Sequence, residues 1–151
     1  MYDVLNYATH GLGFVGAALS VNRLLLGCFF AISGYHKLFN HMRHVSVEGT
    51  MKADKIPHPQ VMSWIVPCFE FSCGLSLVFG VLSPLAASAL FVICTAATVT
   101  DGWKRIPQFH PIDEADKVDD ILYLPEVLYM IGLGLVIFAG PGTLALDALL
   151  P

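Results

Sequence analysis

Long apolar stretches separated by short polar segments dominate the pattern of this chain. They cover residues 20–39, 61–82, 85–100 and 121–139. A hydrocarbon core about 30 Å thick needs roughly 20 apolar residues in an α-helix, so each stretch predicts one membrane span. Pro84, one residue after Ser83, predicts a tight helical hairpin of spans two and three. We therefore predict an all-α fold: one integral membrane domain over residues 1–151, a four-transmembrane-helix bundle in up-down-up-down order.

The composition places these helices in lipid rather than in water. Apolar residues make up 56% of the chain and charged residues 13%, and the mean hydropathy is +0.67. A soluble domain of 151 residues could not hide so much apolar surface in one core. The net charge is −4, and eight Lys and Arg residues are too few for a phosphate-tracking surface. We therefore expect the lipid bilayer as the surroundings and no nucleic-acid partner.

Basic residues are distributed unevenly over the two sides of the predicted bundle. With four spans, segments 40–60 and 101–120 share one side, and both termini share the other. Seven basic residues lie in or beside these two segments: Lys37, Arg43, Lys52, Lys55, Lys104, Arg105 and Lys117. The positive-inside rule then predicts that both segments are cytoplasmic loops and that both termini are non-cytoplasmic. The membrane would be a bacterial or archaeal plasma membrane.

Charged residues inside the predicted spans are the strongest candidates for a catalytic site. They are Arg23, Lys37, Glu70 and Glu126. A charge in a span costs about 2.5 kcal/mol or more unless it is paired or hydrated. Ion pairs that join Lys37 to Glu126, or Arg23 to Glu70, could fix the helix register. Alternatively, these groups meet a quinone, a proton or a small polar ligand, or the two basic side chains snorkel to an interface.

Two of the predicted helices carry small and polar residues at helical spacing. The first stripe is Arg23, Gly27, Phe30, Gly34 and Lys37, and the second is Ser63, Pro67, Glu70, Gly74 and Leu77. Intervals of three and four residues put each set on one face of its helix, and glycine lets a neighbouring backbone approach closely. We predict that these two faces pack against each other.

Proline and aromatic residues lie beside the two acidic candidates. Pro67 and Pro125 each precede an acidic residue by one to three positions and remove a backbone donor, so we predict kinks that open a polar cavity. His36 is the histidine expected to border this cavity. Tyr35 and Tyr123 fit an aromatic belt at the membrane boundary, and their second interpretation is a flat-ring contact to a bound quinone.

The remaining histidines and the cysteines give weaker signals. His41 and His44 are one helical turn apart, a spacing that can ligate a metal, but no acidic motif accompanies them. We predict neither a metal site nor a haem. The four cysteines lie in apolar runs without a CxxC motif, which favours packing. Cys68 and Cys73 point to different faces of one helix, which argues against disulfide exchange.

Three segments together resemble the DoxX family of small four-helix membrane proteins. They read RLLLGCFFAISGYHKLF from residue 23, FEFSCGLSLVFGVLSPLAA from residue 69 and GPGTLALDALL from residue 140. The elements that match are Arg23, Gly34, Lys37, Glu70, Gly74, Gly80 and the tail from Gly140 to Asp147, so the resemblance covers about residues 20–150. One branch of that family includes the large subunit of a thiosulfate:quinone oxidoreductase. The resemblance implies a four-helix bundle and a redox setting in the membrane.

Two hypotheses for the function follow. In the first, the protein is a small integral subunit of a quinone-linked membrane redox system. Lys37 and Arg23 then supply positive charge, Glu70 and Glu126 act as proton or hydrogen-bond partners, and electrons come from a partner or a soluble donor. In the second, it is a non-catalytic accessory or scaffold subunit that stabilises a larger membrane complex. Whether the protein is an enzyme stays open. Transport of a small solute is disfavoured, because no inverted repeat is visible.

Overall fold

The computed structural model describes residues 13–109 and 119–149, and the regular structure of this part is helical. The α-helices are α1 (Val15–Phe39), α2 (His41–Ala53), α3 (Pro59–Phe79), α4 (Ser83–Ala97), α5 (Trp103–Arg105) and α6 (Pro125–Ala139). A π-helical turn, Thr98–Gly102, joins α4 to α5, and 3₁₀ turns occupy Ile106–Phe109 and Leu146–Leu149. The predicted all-α class is confirmed.

Three helical segments of the described part are long and apolar enough to cross a bilayer. They are Val15–Phe39, Pro59–Phe79 and the continuous segment Ser83–Arg105. The fourth apolar helix, α6, has 15 residues and a length of about 22 Å. Residues 119–122 are also helical, and a turn at residues 123 and 124 separates them from α6. Pro125 is the first residue of α6 and therefore does not kink the helix. A proline at this position removes no helical hydrogen bond, since the first amides of a helix have no acceptor within it.

Large apolar side chains cover the outside of the bundle, which is the reverse of a soluble protein. On α1 the exposed residues include Phe29 and Ile32, and on α6 they include Leu135 and Phe138, which is 91% exposed. Buried positions, in contrast, include Arg23, Ser63 and Glu70. The free energy of such a surface is favourable only against lipid.

α1 and α2 are separated by a break at Asn40. Its backbone is extended, with φ −102° and ψ 111°, and its side-chain oxygen accepts hydrogen bonds from the amides of Met42 (3.0 Å) and Arg43 (3.4 Å). This is an N-cap, and it starts α2 in a segment that we predicted to be a loop, a prediction that was wrong. No residue of α2 is buried, so it is a surface helix.

The two predicted stripes pack against each other, as expected. A Cβ atom added to Gly27 would lie 2.9 Å from the carbonyl oxygen of Gly74, and one added to Gly34 would lie 2.8 Å from that of Pro67. A Cβ at Gly74 would overlap the backbone of Ala31. Positions rise along α1 as they fall along α3, so the two helices run antiparallel in close backbone contact. The buried residues of α3 are Ser63, Pro67, Glu70, Gly74 and Leu77, the predicted stripe.

The apolar core lies where α4 and α6 pack on this helix pair. Leu77, Leu90, Leu133 and Val136 are fully buried, and Phe30 of α1 is 4% exposed. Each fully buried leucine stabilises the packed state by about 2 kcal/mol if it is otherwise left in water, and by less in lipid, where packing is the remaining contribution. The core therefore holds α4 and α6 in place, while the glycine contact fixes α1 against α3.

We predict that Gly74→Leu destabilises the bundle by about 1–3 kcal/mol, because the added side chain would overlap the α1 backbone. Gly134→Leu is the matched control, since a Cβ at Gly134 on α6 meets no atom within 4 Å. The measurement is the temperature at which the monodisperse peak of detergent-purified protein is lost on size-exclusion chromatography. Equal midpoints for the two variants would contradict the close contact of α1 with α3.

Candidate functional site

A cavity of about 350 Å³ lies between α2, α3, α4 and the π-helical turn. Its apolar lining includes Val66, Val92, Ile93 and Ala97, and its polar lining is Lys37, Ser46, Thr50, Asp54, Glu70, Thr100 and Asp101. The polar side chains come from α1, α2, α3 and the π-helical turn and from Asp54, whereas α4 contributes only apolar ones. The volume lies within the range of about 300–1,000 Å³ that is usual for small-molecule sites.

The ion pair of Lys37 with Glu70 forms one wall of the cavity. The ammonium Nζ lies 2.8 Å from Oε1 and 2.6 Å from Oε2 of the carboxylate. The Glu70 side chain is 8% exposed and that of Lys37 is 30% exposed. The contact of Gly34 with Pro67, one turn away on each helix, brings the two charges together. The predicted pairs of Lys37 with Glu126 and of Arg23 with Glu70 were therefore wrong.

A second group of charges surrounds Arg105, at the end of α5. Its Nη2 lies 2.7 Å from Oε1 of Glu126, in the first turn of α6, and its Nε lies 3.0 Å from Oδ2 of Asp101. Lys104 is paired with Asp54, whose side chain is only 4% exposed. Asp54 and Asp101 line the cavity, but Glu126 does not. Glu126 thus belongs to an ion-pair network beside the cavity rather than to its wall.

The π-helical turn is the feature that brings Asp101 and Thr100 to the cavity. A π-turn adds one residue to a helical turn, and it often occurs at functional sites. Asp101 lies in the segment that we predicted to be a loop, and nothing in the local sequence signals a π-turn. Sequence analysis therefore missed Thr100 and Asp101, and it missed Thr50 and Asp54 because α2 was not predicted.

Arg23 lies at the opposite end of α1, about 21 Å along the helix from Lys37. Its side chain is fully buried. Nε donates to the carbonyl of Pro141 (2.9 Å), and Nη2 donates to that of Leu144 (2.8 Å). Nη1 donates to the carbonyls of Val78 (3.0 Å) and Leu77, which lie in the last turn of α3, at the negative end of the helix dipole. Arg23 therefore joins α1, α3 and the tail.

Asp147, in the C-terminal tail that follows α6, connects the tail to the start of α4 at the same end of the bundle. Its two carboxylate oxygens accept hydrogen bonds of 2.7 Å from the amides of Leu82 and Ser83, which start α4. Its own amide donates to the carbonyl of Gly80 (2.8 Å). Burial raises the pKa of Asp147, but the donors on Ser83 and Leu82 and the charge of Arg23 outweigh burial and hold the pKa below its usual value.

The predicted aromatic contacts lie outside the lining of the cavity. Tyr35 is 49% exposed and its ring packs 4.8 Å from that of Phe39, and Tyr123 is 74% exposed. His36 is exposed on α1. Within residues 13–109 and 119–149, no three His, Cys, Asp or Glu side chains come close enough together to hold a metal ion. The predicted site residues that line the cavity are therefore Lys37 and Glu70.

Comparison with known proteins gives one match. The family model described as DoxX matches residues 18–103, which is more than half of the chain. The matched region contains Arg23, Lys37 and Glu70, and it ends before α6 and the tail. The predicted resemblance is thus confirmed over residues 18–103 rather than over 20–150. No characterised protein and no solved structure gave a significant match.

We predict that the carboxylate of Asp147 makes the protein sensitive to acid. Because its folded pKa is lowered, its stabilisation is complete above the unfolded value of about 3.9 and is lost as the pH falls through the lower folded value. Asp147→Asn leaves one α4 amide without an acceptor and should cost about 1 kcal/mol at pH 7.

Thermal unfolding of the detergent-purified protein as a function of pH measures both effects. The difference between wild type and Asp147→Asn should shrink below about pH 3.9, since protonation already weakens the wild-type joint. Glu48→Gln is the control, because its carboxylate makes a surface ion pair with Lys52 at 2.6 Å on α2. A difference that stays constant over this pH range would argue against the assigned role of Asp147.

Proposed function

Because this chain belongs to the DoxX family of membrane proteins, we propose that it is a small subunit of a quinone-linked membrane redox system and that the quinone site is the cavity between α2, α3 and α4. The observation that carries the proposal is the Lys37–Glu70 ion pair in the wall of an otherwise largely apolar space. In this proposal Lys37 and Glu70 contact the substrate, whereas Glu126 belongs to the neighbouring ion-pair network of Arg105.

The shape and lining of the cavity suit a quinone. Val66 and Val92 belong to helices whose outer faces are apolar, so a lipid-soluble ring can approach without leaving the membrane. An apolar lining with a few convergent polar groups is the usual composition of a small-molecule site. Most of the polar groups lie at the end of the bundle that α2 covers, and Glu70 lies near the middle of α3.

The ion pair supplies the charge chemistry that quinone reduction needs. Two electrons and two protons convert a quinone to a hydroquinone, and negative charge develops on its oxygens as electrons arrive. The ammonium of Lys37 can donate a hydrogen bond to such an oxygen. Glu70 can pass protons to it and be reprotonated from the end of the bundle where α2 lies. The electrons come from a partner subunit or a soluble donor.

We predict that neutralising the ion pair weakens quinone binding. Lys37→Met should raise the dissociation constant of decylbenzoquinone, and Glu70→Gln that of decylbenzohydroquinone, each at least about tenfold, which corresponds to about 1.4 kcal/mol, a typical contribution of a hydrogen bond to a charged group. Isothermal titration of protein in nanodiscs measures the constant. Lys52→Met is the matched control, since it breaks the surface ion pair with Glu48.

Loss of folding must be separated from loss of binding. Lys37→Met leaves Glu70 buried without a partner, whereas the double variant Lys37→Met/Glu70→Met replaces the pair by two apolar side chains and should keep the fold. A folded double variant that binds decylbenzoquinone as tightly as the wild type does would contradict the proposed site. If the single variants instead release the protein from a co-purifying complex whose activity persists, the role is that of an accessory subunit.

A further inference from the structure

The two threonine hydroxyls of the cavity are already committed as donors. Oγ1 of Thr50 donates to the carbonyl of Ser46 (3.1 Å), and Oγ1 of Thr100 donates to the carbonyl of Ala96 (2.9 Å). A hydroxyl has one hydrogen and two lone pairs, so both oxygens can only accept a hydrogen bond from a ligand. A threonine hydroxyl can in general donate or accept a hydrogen bond. In the folded helices these two can therefore act only as acceptors towards a ligand.

The carboxylates add further acceptors. Asp54 is paired with Lys104 through Oδ1, and Asp101 with Arg105 through Oδ2. Because a carboxylate accepts about four hydrogen bonds, each keeps capacity on its second oxygen. Lys104 and Arg105 do not line the cavity, so their N–H groups bind these two carboxylates and do not count as donors to a ligand.

Donors are scarce in the same space. Lys37 has three N–H groups, and its Nζ is bonded to both oxygens of Glu70. The hydroxyl of Ser46 is the other side-chain donor of the lining. The cavity thus presents acceptors from Thr50, Thr100 and three carboxylates against donors from two residues.

We propose that the cavity selects a ligand with an aromatic hydroxyl, and that it binds a hydroquinone in preference to the corresponding quinone. This inference rests on the proposed function and names the form of the substrate. A quinone carbonyl can only accept hydrogen bonds, whereas each hydroquinone hydroxyl donates one. Hydrogen bonds from O–H to an ionised carboxylate are about twice as strong as those between neutral groups.

The preference has a redox consequence. Reduction of the quinone takes up two electrons and two protons and turns both carbonyl oxygens into hydroxyls. Tighter binding of the reduced form therefore raises the midpoint potential of the bound couple. A tenfold preference corresponds to a rise of about 30 mV for a two-electron couple.

Binding of matched compounds tests the preference. Anaerobic isothermal titration of nanodisc-embedded protein with decylbenzohydroquinone and decylbenzoquinone should give at least about tenfold tighter binding of the hydroquinone. A redox-inert pair, para-nonylphenol and para-nonylanisole, repeats the comparison, because methylation removes the donor and keeps the alkyl chain. The phenol should bind more tightly by a similar factor.

Two variants locate the effect. Ala96→Phe places a ring in the cavity lining and should abolish the preference, whereas Val99→Phe, at a position that is 69% exposed and outside the lining, should keep it. If wild-type protein binds the quinone as tightly as the hydroquinone, this inference fails and the quinone site stands. If neither compound binds wild-type protein more tightly than it binds the Ala96→Phe variant, the proposed function fails too. A preference that survives in Ala96→Phe also overturns the inference.

Discussion

The close antiparallel contact of α1 with α3 is the constraint on which the other features depend. Gly27, Gly34 and Gly74 bring the two backbones together and so set the register of the helices. In this register Lys37 reaches Glu70 at one end, and Arg23 reaches the last carbonyls of α3 at the other. A slip of one residue would turn a partner by about 100° and leave a charge against lipid. The glycine contact and the charge pairing therefore stabilise the same register.

The two ends of this contact differ in chemistry. Arg23 makes four hydrogen bonds to backbone carbonyls, and its side chain is fully buried, so it is not accessible to a ligand. Lys37 and Glu70 are bonded to each other and border open space, so either group can exchange its partner for a ligand. Position in the bundle, rather than charge alone, thus separates a structural arginine from a candidate site.

The sequence predicted those properties that depend on local pattern. The spacing of Gly34 and Gly74 identified the packed faces because helical periodicity alone determines which residues share a face. The predicted ion pairs were wrong, because which charges meet depends on where each helix begins and ends. The break at Asn40 ends α1, and α6 begins only at Pro125. Asp101 was missed since a π-turn depends on tertiary packing rather than on a local sequence signal.

The break at Asn40 explains how α2 comes to line the cavity. It turns the chain out of the α1 axis, so α2 runs over the end of α3 and covers the space without burying a residue of its own. Its described contacts include the ring of His44, 4.2 Å from that of Trp64, and the ion pair of Asp54, which follows α2 directly, with Lys104. A helix held by so few buried contacts opens at a lower free energy than the core does. In the proposed function, the surface helix that carries Thr50 and precedes Asp54 is therefore the element that we expect to move aside when a ligand enters.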